Sequence, residues 1–114
     1  MNQRLRLEFP LAKAEYLLTR AAEPGQGGDK QNFWRGVMGF ESADEIRESL
    51  LAVVSTDMLQ PQGQNAFGER YQASVPITGP TGLSRQILTV WIVLFGEDVA
   101  RFVTAFPDRK GGQQ

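Results

Sequence analysis

The stretch Leu88–Pro107, LTVWIVLFGEDVARFVTAFP, sets two apolar runs on either side of Gly96-Glu97-Asp98. The first run, Leu88 to Phe95, has the length of one strand and is far too short to span a bilayer. Both runs are rich in Val, Ile, Thr, Trp and Phe, side chains that suit a pleated surface better than a helix. The second run stops at Pro107. Together they read as a β-hairpin that forms the spine of a small domain. The middle of its first strand is apolar on both faces, with Leu88, Val90, Ile92 and Leu94 against Trp91, Val93 and Phe95. Such a strand is expected to be central and covered, at least partly, on both sides.

The segments before the hairpin supply its partners. Leu5, Leu7 and Phe9 alternate with Arg4, Arg6 and Glu8 up to Pro10, which predicts a short arm or edge strand. Leu11, Ala14, Leu17, Leu18 and Ala21 recur at helical spacing, which predicts a first helix. The breakers Glu23 to Gly28 form a loop. Asp29 stands where an N-cap belongs, before a short second helix that ends at Gly39. Ser42 and Glu45 make a capping-box pattern for a third helix from Ala43 to about Val54.

From Thr56 the period changes to that of strands. Asp57 to Asn65 reads as a weak strand and a turn. Gly68 to Ile77 alternates cleanly, with Tyr71, Ala73, Val75 and Ile77 on one side. Gly79-Pro80-Thr81-Gly82 is a turn, and strands follow over Arg85–Phe95 and Ala100–Phe106. Helices first and strands afterwards predict an α+β domain, with the N-terminal helices packed on one face of a roughly four-stranded antiparallel meander sheet. A chain of 114 residues supports one domain over 1–114, with a polar tail at 108–114.

Composition removes whole classes of chemistry. The chain has no His and no Cys, so it lacks the commonest general acid–base, the commonest metal ligand and all thiol chemistry. Classical triads and zinc sites are therefore not expected, nor is any metal or cofactor. Lys and Arg total 12 against 13 Asp and Glu, for a net charge of -1. A general electrostatic hold on nucleic acid is absent, although a local patch can still engage RNA. The start, MNQRLRLEFPL, has no apolar run resembling a secretory signal, so a cytoplasmic location without a membrane partner is expected.

The candidates for chemistry are then Lys, Arg, Tyr, Thr and carboxylates. Asp44, Glu45 and Glu48 load the start of the third helix, where the helix dipole favours negative charge. Gly25-Gln26-Gly27-Gly28 precedes a helix but lacks the spacing of a nucleotide fingerprint. Lys13 and Lys30 stand at the starts of the first two helices, against the dipole. Such placements sometimes mark function, although long stems covering apolar surface explain them as well. Arg101 interrupts an apolar strand. Regular alternation places it with Val103 and Ala105, and places Thr104 with Phe102 and Phe106. Its guanidinium is suited to clamping a phosphate or carboxylate, and equally to pairing with Glu69 or Glu97. Tyr71 and Trp91 have the rings to stack on a base, but alternating aromatics of a strand are more often core.

The ordered set Lys13-Ala14-Glu15-Tyr16-Leu17-Leu18, Lys30 with Phe33-Trp34, Gly39-Phe40, Gly68-Glu69-Arg70-Tyr71, Thr89-Val90-Trp91-Ile92 and Arg101-Phe102-Val103-Thr104-Ala105-Phe106-Pro107 resembles a family of small, functionally uncharacterised bacterial domains. That family has a K-x-x-Y-L-L start and a V-W-I … R-x-V-T-A-[YF]-P end, and the resemblance covers about residues 10–107. Helices followed by an antiparallel sheet ending in Val103-Thr104-Ala105-Phe106-Pro107 are also similar to the ribonuclease-toxin superfamily of barnase, EndoU, colicin and RelE-like domains. That second resemblance implies metal-independent RNA cleavage. It points to Lys13, Lys30 and Arg101 for phosphate binding, and to Lys30, Arg101, Thr104 and Tyr71 as catalytic residues. Tyr71 and Glu69 are then the proton carriers.

Two readings follow. The first is an RNA-cleaving or RNA-binding toxin-like domain, with Lys or Arg neutralising the charge of the transition state. The second is a non-enzymatic protein-binding module, antitoxin-like, immunity-like or accessory. Its mark is an exposed apolar patch, expected around Trp34, Phe40 or Phe106. An open sheet edge near Asp57–Asn65 offers the same module a partner strand.

Overall fold

A computed structural model describes residues 5–19 and 32–108. Its elements in chain order are β1 (Arg6–Glu8), α1 (Leu11–Thr19), a single π-helical turn (Asn32–Val37), α2 (Ala43–Val53), a 3-10 turn (Thr56–Met58), β2 (Gln60–Gln64), β3 (Gly68–Thr78), β4 (Ser84–Leu94) and β5 (Val99–Pro107). The expected α+β order holds. The sheet has five strands in the order β1-β5-β4-β3-β2. Strands β2 to β5 are the antiparallel meander, and β1 adds a fifth strand parallel to β5. Alternation alone identified the β1 arm, but its pairing needs a crossover through the helices that no local pattern encodes.

The helices form because their ends and faces suit them. At α2 the Ser42 hydroxyl accepts from the Glu45 backbone N–H while the Glu45 carboxylate accepts from the Ser42 N–H, closing the capping box. Ile46 and Leu50 on its inner face are fully buried. Gly79-Pro80-Thr81-Gly82, the β3–β4 turn, docks beneath the π-helical turn. There the Thr81 N–H and hydroxyl both donate to the Met38 carbonyl.

The core lies between this helical layer and one face of the sheet. Leu17, Trp34, Phe40, Ile46 and Leu50 from above meet Val75, Ile87, Trp91 and Phe102 from below. Phe9 stacks on Phe102 at 3.9 Å and meets Trp91 edge-on, while the Arg47 Nε–H donates to the Phe9 carbonyl at 2.6 Å. The arm is thereby tied to both layers. Trp34 and Phe40, expected on an exposed patch, are instead 0% and 2% accessible. Both belong to the core between helices and sheet, with their rings 5.8 Å apart, so neither lies on the surface. Among the described residues no element packs on the opposite face of the sheet, so β4 is covered by helices on one side alone.

Candidate functional site: the open face of the sheet

The open face is built from alternate residues of four strands. Arg70, Gln72 and Ser74 come from β3, and Leu88, Val90, Ile92 and Leu94 come from β4. Their neighbours in sequence, Tyr71, Ala73, Ile87 and Trp91, point to the core. The β4 residues make an apolar stripe down the middle of the face. Val90 is buried yet belongs to no part of the helix-side core. Polar groups flank the stripe, with the β3 side chains on one side and Arg6 and Glu8 of β1 on the other.

A β-bulge in β5 decides which of its side chains join this face. Val90 pairs with Thr104 and Trp91 pairs with Phe102, leaving Val103 as the extra residue. A bulge breaks the two-residue alternation and re-aims the side chains beyond it. Regular alternation puts Arg101 and Thr104 on opposite faces. The bulge instead puts both on the open face, with Arg101 opposite Ile92 and Thr104 opposite Val90. Phe102 and Ala105 then share the core side.

The other predicted site residues lie elsewhere. Lys13 is exposed in the first turn of α1, in the helical layer, on the far side of the sheet from Arg101. Tyr71 belongs to the helix side, where its hydroxyl donates to Glu69 at 2.9 Å. That pair lines a shallow cleft of about 780 Å³ at the turn end of the sheet, together with Glu97 and Asp98 and, among the described residues, with no basic side chain. Burial, and then the Glu69 carboxylate, push the Tyr71 hydroxyl above the usual tyrosine range, since both disfavour the phenolate. Lys30 and the Gly25–Gly28 segment lie outside the described residues.

Arg101 is not an isolated cation. It reaches Glu8 at 2.9 Å and Glu97 at 3.1 Å, so the predicted pairing with Glu97 is present and Glu8, rather than Glu69, is the second carboxylate. The Thr104 hydroxyl is shut off from solvent and has no hydrogen-bond partner. Glu8 reaches this face only because β1 pairs with β5, whereas Arg70 lies there by the plain alternation of β3. Among the described residues, no group of three His, Cys, Asp or Glu side chains is placed to hold a metal ion, and no helix is long and apolar enough to cross a membrane.

The family described as a domain of unknown function, DUF6883, matches residues 11–109. The chain belongs to that family. No curated protein and no solved structure matches the chain. The DUF6883 match begins at the first residue of α1 and ends just past β5. The family unit therefore comprises the helical layer and the meander, and the β1 arm precedes it.

Proposed function

We propose that this DUF6883 domain is a non-enzymatic binding module that docks a partner protein on the open face of its sheet. The observation that carries this reading is the apolar stripe of half-buried Leu88, Ile92 and Leu94 around the buried Val90, on a face that no described element covers. An apolar centre with a polar rim is the anatomy of a protein interface. A fitting partner presents an apolar surface with an acidic group to meet Arg70 and a basic group to meet Glu8 and Glu97. The β2 edge is a poorer template, because Pro61 removes a donor and the strand is bulged between Pro61 and Gly63.

The RNA-cleaving reading has one point in its favour, the convergence of Arg101 and Thr104 on one face. Against it, Lys13 is on the other side of the sheet, and Tyr71 stands in an acidic cleft that repels a polyanion. Arg101 is already neutralised by two carboxylates.

The test compares wild type with Leu88→Glu, Ile92→Glu and Lys13→Ala, each checked for a native circular dichroism spectrum. Proteins bound by wild type and Lys13→Ala but lost by the two face variants support docking on this face. Binding unchanged in the face variants overturns it. So does cleavage of total RNA by wild type that Arg101→Ala abolishes.

A further inference from the structure

We infer that the open face docks a second copy of this chain, in a symmetric pair of face-to-face sheets. The inference rests on the docking reading above and names its partner. One cross-strand row carries it. Arg70 on β3 is opposite Ile92 on β4, Ile92 is opposite Arg101 on β5, and Arg101 is opposite Glu8 on β1. The row therefore runs from a cation at one side of the face to a carboxylate at the other, three strand spacings or about 14 Å away. Arg70 is exposed and has no ion pair among the described residues.

A two-fold axis along the strands, midway between β4 and β5, reverses that row in the second copy. A C2 interface is self-complementary in this sense: if i contacts j, then j contacts i. Arg70 of each copy then faces Glu8 of the other, so the dimer gains two equivalent charge pairs. The same operation lays Leu88 over Phe106, while Val90 and the Thr104 hydroxyl, already shut off from solvent, add little to the contact. It lays Ile92 over the stem of Arg101, whose guanidinium Glu8 and Glu97 already hold, and a stem of that kind covers apolar surface well. Tilting the axis by about 15° from the strands gives the roughly 30° between strand directions that stacked sheets prefer.

The area is also adequate. β3, β4, β5 and β1 together span roughly 600 Å² in flat projection. That is of the same order as the ~800 Å² that each partner contributes to a standard interface.

The experiment is sedimentation equilibrium on the full chain over a concentration series. Wild type is expected at twice its 12.7 kDa chain mass, and Ile92→Glu at the single-chain mass. Arg70→Glu alone and Glu8→Arg alone are each expected to weaken self-association by about tenfold or more, because each sets like charges opposite one another twice. An equimolar mixture of those two variants is expected to recover the double mass, since both of its contacts pair opposite charges. These rim substitutions keep the test decisive if Ile92→Glu fails to fold. A single-chain mass for wild type overturns the inference, as does a mixture that stays dissociated. Wild type that stays single while a different protein binds it, and is lost with Ile92→Glu, overturns the second copy and leaves the docking reading standing.

Discussion

The indole N–H of Trp91 donates to the Thr89 hydroxyl at 2.8 Å in the middle of the core. That hydroxyl donates in turn to the Ala73 carbonyl, also at 2.8 Å. Thr89 is the one buried polar residue among those described, and both its donor and its acceptor capacity are used. The relay fixes the Trp91 ring, against which Phe9 and Phe102 pack edge-on. Thr89→Val keeps the shape and leaves a buried indole N–H without a partner. Such a group costs about 1–3 kcal/mol. The expected outcome is a lower denaturation midpoint at unchanged slope in urea, with Thr89→Ser falling between the variant and wild type.

Gly79 makes a second prediction about packing. A Cβ built there would lie 2.2 Å from the Met38 carbonyl oxygen, a backbone atom that has no rotamer through which to escape. That carbonyl also accepts from Thr81, so any shift disturbs the docking of the β3–β4 turn under the π-helical turn. Gly79→Ala is expected to destabilise by roughly 1–3 kcal/mol through overpacking. Gly82→Ala meets nothing within 4 Å but has φ +91°, so its strain is confined to its own backbone. Both variants are expected to melt below wild type, but Gly79→Ala alone is expected to change the near-ultraviolet signal of Trp34. An unchanged signal in Gly79→Ala would refute the clash.

Arg101→Ala separates a structural arginine from a catalytic one. Its ion pairs with Glu8 and Glu97 are about two-fifths exposed, and exposed pairs stabilise by about 0–1 kcal/mol. The expected loss is therefore small and shrinks as salt is added. Total RNA incubated with the purified wild type and variant is expected to remain intact in both cases. Salt-independent loss of stability, or RNA fragments from wild type alone, would contradict this.

Much of this architecture is legible from local pattern. The Ser42–Glu45 capping box, the α1 and α2 spans, the alternation of β3 and the hairpin of β4 and β5 each follow from spacing and composition within a few residues. The placement of the site does not. Whether Arg101 and Thr104 share a face turns on a single extra residue, Val103, and a period-2 rule has no means of anticipating a bulge. The partner of Arg101 depends on β1 lying beside β5, a contact spanning more than ninety positions in the chain. The apolar outer residues of β4 indicate burial on that face too, and Val90 is indeed buried, although no described element packs over it. The expectation of Trp34 and Phe40 at the surface fails because nothing in a short helix and its flank reveals that the chain folds both into the core.

Tyr71 offers a pH-dependent readout at the edge of the sheet. Desolvation is the larger cause of its raised pKa, and the Glu69 carboxylate adds to it by favouring the protonated hydroxyl. In the unfolded chain neither influence remains, so the folded state holds this proton more tightly. Stability from this source is then fully present below the unfolded tyrosine value of about 10 and is lost as pH rises through the folded value, because unfolding releases the proton there. Ultraviolet titration of the phenolate band should show Tyr71 ionising above the usual tyrosine range. Tyr71→Phe should delete that late step, and Glu69→Gln should move it downward while leaving part of the shift, since burial persists. A Tyr71 step that stays at the ordinary value in wild type, or one that Glu69→Gln leaves in place, would show that the hydroxyl and Glu69 are not bonded in solution.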